Sequence, residues 1–240
     1  MIFDLDTEFD VYSDTPMGKD PDSFSPTLRR YHQMLWSKPL PGGAPFTLEK
    51  VAGRVGLVHR SELGEFSVSS DAIGHTYRSV KSMAHIIAQV DERELDGFYR
   101  LCSTIGAYVV FPSNRIDGKR TINGARGMDR RISDRFDLTL ECIRRSYRGE
   151  DSPLSQVFDR YQSFFALFGD FAGYCSFFLL DDAVSPEADS VRFFLPFRGF
   201  GAPALPQTID QYHLYRSNLS TFVGARNQRM REFASSQSDT

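Results

Sequence analysis

The chain has 240 residues, a formal net charge of −3 and 41% hydrophobic residues. This length and composition exclude a disordered protein and are sufficient for one sizeable core. No run of 18 apolar residues is present, and the N-terminus lacks the basic and apolar regions of a secretory signal. We therefore expect a cytoplasmic protein with no membrane partner. The cysteines lack CxxC spacing and are expected to be free thiols: Cys102, Cys142 and Cys175.

The first 24 residues are acidic and are expected to lie outside the main domain. They contain seven acidic residues and one basic residue, Lys19. Apolar residues partly alternate with the acids at Phe3, Leu5, Phe9 and Val11. This pattern fits a short edge strand, and the composition fits a charged arm equally well.

The main domain is predicted to begin with a helix and a hairpin. Ser25 is a good N-cap, and Pro26 occupies the first position of a helix that ends near Trp36. Two strands are predicted next, over residues 54–60 and 64–70. The turn SELG between them indicates a β-hairpin.

Two helices and a buried strand are predicted after the hairpin. Apolar spacing from Asp71 predicts a helix to about residue 91, with Ser70 as its cap. A second helix, DERELDGFYRLCSTI, opens on acidic residues, which suit the positive end of a helix dipole. The apolar run IGAYVVFP then predicts a strand that ends at Pro112.

The second half of the chain is predicted to be mainly helical. Helical spacing of apolar residues extends over 132–147, 152–168 and 208–234. The run YCSFFLL is too short to distinguish helix from strand, and VRFFLPF (191–197) is a strand candidate. Residues 235–240 are expected to form a disordered tail. Together these elements predict one α+β domain over residues 25–234, with five or six helices on a small, mostly antiparallel sheet.

Positive charge is concentrated in residues 113–148. This segment holds ten basic and five acidic residues, a local charge of +5 that leaves −8 for the rest of the chain. Nine of the ten basic residues are arginine, whose planar guanidinium suits phosphate or carboxylate. The basic residues alternate with Gly and Asn between a strand end and a helix start, where loops often bind phosphate. The predicted ligand-binding residues are Asn114, Arg115, Lys119, Arg120, Asn123 and Arg126.

Three interpretations of the basic segment remain open. The stretch GKRTINGARG matches neither a P-loop nor a GxGxxG fingerprint. The leading hypothesis is a site for a phosphate-bearing ligand, either a nucleotide or the backbone of RNA, because the loop lacks aromatic residues for base stacking. The alternative function is a protein-interaction face that docks an acidic partner or the N-terminal arm of a second copy. The third interpretation is a solvated basic surface.

Three acidic residues are candidates for catalysis. Asp134, Asp137 and Glu141 would share one face of the predicted helix over 132–147. Carboxylates in this arrangement suit a divalent cation or a general base. Arginines within helical reach of Asp134 and Glu141 offer ordinary ion pairing as another explanation. Whether the protein is an enzyme stays open.

Three further polar residues are secondary site candidates. His59 lies at the predicted hairpin near Glu62, and Lys38 follows the first helix. A half-buried strand histidine is the alternative for His59. The five histidines do not show the spacing of a zinc site.

Several blocks of the chain together resemble an uncharacterised family of bacterial and phage-associated proteins, a domain of unknown function. The blocks are GKDPDSFSPTLRRYHQMLWSKPLPGG, HRSELGEFSVSSDAI, PSNRIDGKRTINGARG and DRFDLTLECIRRSY followed by SPL. The resemblance extends from about Phe9 to Arg229 and implies a single domain. It implies no activity and supplies no catalytic residues.

Overall fold

A four-stranded antiparallel sheet forms the centre of the computed structural model, which describes residues 4–54 and 56–238. Its strands lie side by side in chain order: β3 (Glu49–Lys50), β4 (Leu57–Ser61), β5 (Gly64–Ala72) and β6 (Tyr108–Pro112). β4 and β5 form the predicted hairpin, in which Ser61 pairs with Gly64 across the turn. A smaller antiparallel pair joins β1 (Lys38–Pro39) to β2 (Pro45–Phe46).

The described residues contain ten α-helical segments, more than the five or six expected. Several are single turns, because predicted long helices are interrupted. The segments are α1 (Pro21–Phe24), α2 (Pro26–Trp36), α3 (Ala84–Ile87), α4 (Glu92–Cys102), α5 (Ile122–Met128), α6 (Phe136–Tyr147), α7 (Ser155–Phe158), α8 (Gln162–Ala166), α9 (Phe171–Phe177) and α10 (Ile209–Ser238). The α+β class is confirmed. No helix in this part of the chain is both long and apolar enough to cross a membrane.

The start of α2 follows its predicted chemistry. Ser25 Oγ accepts a hydrogen bond from the Leu28 N–H at 3.0 Å, and Pro26 occupies the first helical position. The side chain of Asp14 adds to this cap, since it accepts the Thr27 N–H at 3.0 Å. The acidic N-terminal residues therefore serve partly as helix caps.

A buried arginine ties the long C-terminal helix to the sheet. Arg226 of α10 is 0% exposed and donates hydrogen bonds to the carbonyls of Gly106, Tyr108 and Phe178. These carbonyls belong to the chain that enters β6 and to the end of α9. Burial of the guanidinium lowers the pKa of Arg226 to about 9.

The helix predicted from Asp71 is wrong, because β5 continues through Ala72 and an irregular segment follows it. Gly74 packs so tightly that a Cβ there would lie 2.8 Å from Cys102 Sγ. Tyr77 then takes a φ of 57°, which is incompatible with a right-handed helix. Helical structure resumes only at a short 3₁₀ turn, Lys81–Met83, and at α3.

Three other predicted elements also differ. The helix over 152–168 is divided into α7, a 3₁₀ turn and α8, because Tyr161 leaves helical geometry. The stretch 191–197 contributes a single bridge, Val184 to Val191, and no strand. The run YCSFFLL begins inside helix α9.

The two ends of the chain are more ordered than expected. Residues 4–20 form turns rather than an edge strand, and the next four residues form α1. Phe3, part of the predicted alternation, lies outside the described residues. α10 continues through Ser238, so residues 235–238 of the predicted tail are helical, and residues 239–240 are not described.

Candidate functional site

Ion pairing divides the arginines of the basic segment into two groups. Six of the ten basic residues between 113 and 148 form ion pairs with carboxylates: Arg126, Arg131, Arg135, Arg144, Arg145 and Arg148. The other four have exposed side chains and no ion pair with any described residue: Arg115, Lys119, Arg120 and Arg130. Only this second group is free to attract an external anion.

Arg126 is an interior residue rather than a surface ligand. It is 0% exposed and forms an ion pair with Asp71. Its guanidinium also donates to the Ala72 carbonyl at 3.1 Å, the Asp134 carbonyl at 2.8 Å and Thr139 Oγ1 at 3.1 Å. The expectation that Arg126 contacts phosphate is therefore not supported, because four of its five donors are used inside the fold.

The two asparagines of the predicted site also support the fold. The Asn114 side chain accepts the Ser67 N–H at 2.5 Å, which ties the loop after β6 to β5. Asn123 donates to Ser69 Oγ and to the Ser70 carbonyl at 3.1 and 2.9 Å. Both side chains therefore help to position the basic loop, residues 113–120, rather than present donors to a ligand.

The three candidate carboxylates do not form a common site. Asp137 is 1% exposed, pairs with Arg135 and accepts the Phe194 N–H at 2.8 Å. Glu141 is 4% exposed and is held by Arg144 and Arg145, each at 2.8 Å, as the ion-pairing alternative predicted.

Asp134 lies before α6 begins, so it does not share a helix face with Asp137 and Glu141. In the part of the chain that is described, no group of three His, Cys, Asp or Glu side chains is arranged to hold a metal ion. A divalent cation bound by these three acids is therefore not supported.

The secondary candidates lie in β1, in β4 and in the turn after β4. His59 is buried in β4 with its ring 4.0 Å from the Phe46 ring, which fits the predicted strand histidine. Burial lowers its pKa. Glu62 is exposed at the hairpin turn.

Lys38 is enclosed by aromatic rings. Its Nζ lies 5.3, 4.8 and 4.7 Å from the ring centroids of Trp36, Phe177 and Phe233. Burial lowers the Lys38 pKa to about 8. Cation–π contacts of this kind account for a half-buried lysine among aromatic rings.

The basic loop carries three of the four unpaired cations, Arg115, Lys119 and Arg120, and is anchored at both ends. The Ser113 N–H donates to the Ser67 carbonyl at 2.7 Å, and the Tyr161 hydroxyl donates to the Asn114 carbonyl at 2.7 Å. At the other end, Arg160 donates to the Arg120 carbonyl at 2.8 Å. The turn between them contains Gly118 at φ 66°, where a residue without a Cβ is favoured.

An open groove of about 590 Å³ lies beside this loop. It is lined by parts of α5, residues 151–154 and α7, and by three arginines: Arg120, Arg131 and Arg160. Arg131 is neutralised by Asp129, with Nη2 2.6 Å from the carboxylate, and this hydrogen bond lowers the Asp129 pKa. Arg160 Nε is buried and has no protein acceptor among the described residues.

The rest of the groove is mixed in character. Ser152, Ser155 and Gln156 supply hydroxyl and amide groups, and Met128 and Val157 supply apolar surface. Among the described residues that line the groove, Asp151 is the carboxylate without an ion pair. Its negative charge reduces the positive charge of the groove. Sequence reasoning missed Arg160 and the serines, because they lie in a segment predicted to be one continuous helix.

A family model covers most of the chain. The match runs over residues 5–230 and is described as "Family of unknown function (DUF6994)". The chain belongs to this family. No curated protein matches the chain, and no solved structure matches it. The groove and the basic loop both lie within the matched residues.

Proposed function

We propose that the protein binds a phosphate-bearing ligand of nucleotide size in the groove beside the basic loop. The observation that carries this proposal is Arg120, which is exposed, has no ionic partner among the described residues and lines the groove. Arg115 and Lys119 lie within five residues of it in the same anchored loop. Guanidinium and ammonium groups left unpaired beside a concave surface are suited to the charge and the oxygen atoms of phosphate.

The size and lining of the groove favour a nucleotide over a long nucleic acid. A volume of about 590 Å³ falls in the range of small-molecule sites. Met128 and Val157 provide apolar surface for a base or sugar, and the groove's described lining contains no aromatic ring for stacking successive bases.

The docking of an acidic partner has less support as the function. The acidic arm that was expected to reach the basic face of a second copy is engaged within its own chain. Asp14 caps α2, Asp20 caps α1, and Asp22 accepts the Ser70 N–H. These contacts would have to break before the arm could dock elsewhere.

The first experiment identifies what the purified protein carries. The ratio of absorbance at 260 and 280 nm is measured, and mass spectrometry then identifies any molecule released on denaturation. Calorimetry with nucleoside mono- and triphosphates, pyrophosphate and a 12-residue RNA follows. We expect the nucleotides to bind with a stoichiometry of one. If RNA binds tightly and the nucleotides do not, the ligand is RNA rather than a nucleotide.

Charge variants test the location of the site. Arg120→Ala is expected to weaken nucleotide binding roughly tenfold to hundredfold, the value of one charged hydrogen bond. Asp151→Asn is expected to strengthen binding, because it removes the groove's unpaired negative charge. Arg93→Ala is the matched control, since Arg93 is an exposed arginine of α4 that does not line the groove. Equal effects of Arg120→Ala and Arg93→Ala would refute the location, and failure of every phosphate compound to bind would refute the function.

A further inference from the structure

A second cavity, of about 290 Å³, shares no lining residue with the basic groove. It lies between the segment that follows β5 and the segment that joins α5 to α6. Its polar wall includes His75, Ser79 and Asp134, and its apolar wall includes Val80 and Leu205. Its volume suits a small metabolite rather than a nucleotide.

Backbone strain is concentrated around this cavity. Six non-glycine residues of the described chain have a positive φ, and three of them line the cavity: Tyr77 at 57°, Ser133 at 48° and Asp134 at 59°. Such conformations are unfavourable for residues with a Cβ and persist where the surrounding structure enforces them, often at binding sites. Arg126 connects the two segments that bear these residues, because it donates hydrogen bonds to the carbonyls of both Ala72 and Asp134.

His75 presents a free acceptor in this cavity. The Ala72 carbonyl accepts a hydrogen bond from the His75 ring. The other ring nitrogen, Nε2, is buried and has no protein partner among the described residues. With the ring neutral and its proton on the nitrogen that faces the Ala72 carbonyl, Nε2 carries an unshared lone pair. Burial, reinforced by the nearby Arg126 charge, lowers the His75 pKa, which favours the neutral ring.

The charges around the cavity leave one negative charge in excess. Arg126 forms an ion pair with Asp71 and also interacts electrostatically with Asp134, so two carboxylates share one positive charge. Asp134 forms no ion pair or hydrogen bond through its carboxylate with any other described residue. Gly127 leaves room for this carboxylate, since a Cβ at Gly127 would lie 3.0 Å from Asp134 Oδ2. The cavity therefore combines an unpaired carboxylate, a neutral acceptor and an apolar wall.

We propose that this cavity is a binding site for a small organic amine in its protonated, ammonium form. The ammonium group pairs with the Asp134 carboxylate and donates a second hydrogen bond to His75 Nε2. The carbon chain of the ligand lies against Val80 and Leu205. Neither acceptor suits a phosphate or carboxylate ligand, because both would repel its oxygen atoms.

Three probes of equal length and different charge test this proposal: n-butylamine, 1-butanol and butyrate. Binding is followed by NMR titration and thermal shift, and a long-range ¹H–¹⁵N spectrum reports the state of His75 Nε2. We expect n-butylamine to bind and to shift the Nε2 resonance from the position of an unprotonated nitrogen. Binding of 1-butanol or butyrate as tight as that of n-butylamine would overturn the proposal, as would a proton found on free Nε2.

Matched variants separate the site from general effects of charge. Asp134→Asn is expected to weaken amine binding roughly tenfold to hundredfold, because a charged hydrogen bond becomes a neutral one. Asparagine tolerates the left-handed backbone, so this variant is expected to fold. Asp117→Asn is the control, because Asp117 is exposed and has a φ of 52°. Equal amine affinity in the two variants would overturn the proposal.

A second variant tests the site without changing any charge. Gly127→Ala adds a methyl group against the Asp134 carboxylate, and alanine is favourable within helix α5. We expect weaker amine binding without loss of thermal stability. A crystal structure of Gly127→Ala shows whether the Asp134 carboxylate has moved. If it has moved and the amine still binds with full affinity, the carboxylate does not bind the ammonium group.

Discussion

Replacing Arg126 distinguishes an arginine that binds a ligand from one that holds the fold together. A surface phosphate contact would be lost in Arg126→Ala without a change in thermal stability. The structure predicts the opposite, because the guanidinium is 0% exposed and pairs with Asp71. Its removal also leaves the carbonyls of Ala72 and Asp134 without their donor. Breaking a buried ion pair by removing one partner costs about 3–5 kcal/mol.

The Asp71 side chain is 20% exposed, so water compensates in part and the lower end of that range applies. We expect Arg126→Ala to lose about 3 kcal/mol of unfolding free energy, or roughly 6–12 °C in Tm for a domain of this size. Urea denaturation monitored by Trp36 fluorescence measures this loss. Arg130→Ala is the control, since Arg130 is exposed and is expected to change stability by less than about 0.5 kcal/mol.

Adding Asp71→Asn to Arg126→Ala should recover part of the loss, because it removes the unpaired carboxylate. Equal urea midpoints for Arg126→Ala and Arg130→Ala would refute the structural role of Arg126.

Two further predictions concern buried titratable groups. Burial raises the pKa of Asp22 from 3.8, its value in the unfolded chain, to about 7 in the folded state. The folded state therefore binds this proton more tightly than the unfolded state does. The unfolding free energy should therefore fall as pH rises from about 4 to about 7, by at most roughly 4 kcal/mol, and Asp22→Asn should reduce this dependence in urea titrations. A pH profile unchanged in Asp22→Asn would show that other groups cause it. The three cysteines are buried free thiols, and burial raises the pKa of Cys102 and Cys142 to about 12. We expect 5,5′-dithiobis(2-nitrobenzoate) to label them slowly in the native protein and to label all three in urea, whereas fast native labelling would contradict their burial.

The elements that sequence reasoning located well are those fixed by local chemistry. The start of α2 depends on Ser25 and Pro26, and the β4–β5 hairpin depends on alternation and a Gly-containing turn. α4 likewise begins at an aspartate cap, Asp91, whose side chain accepts the Arg93 N–H. In each case the residues that decide the structure lie within a few positions of one another.

The errors arise where distant contacts override local preference. The segment after Ser70 has helical apolar spacing, yet Asp71 is held by Arg126, 55 residues away. Gly74 is packed against Cys102 and Leu219, which local periodicity does not reveal. The same holds for the cavity at His75, whose walls come from segments more than 45 residues apart in the chain.

A local signal for the interior position of Arg126 was nevertheless present. Thr121 caps α5 through the Gly124 N–H, and Ile122 lies four residues before Arg126 on the same helical face. Ile122 is 0% exposed, so a helix at this position directs Arg126 into the core as well. Treating residues 113–131 as one loop concealed this periodicity. The unpaired cations of this segment therefore lie outside the short helix, and the proposed anion site depends on Arg115, Lys119 and Arg120, whereas Arg126 holds the interior together.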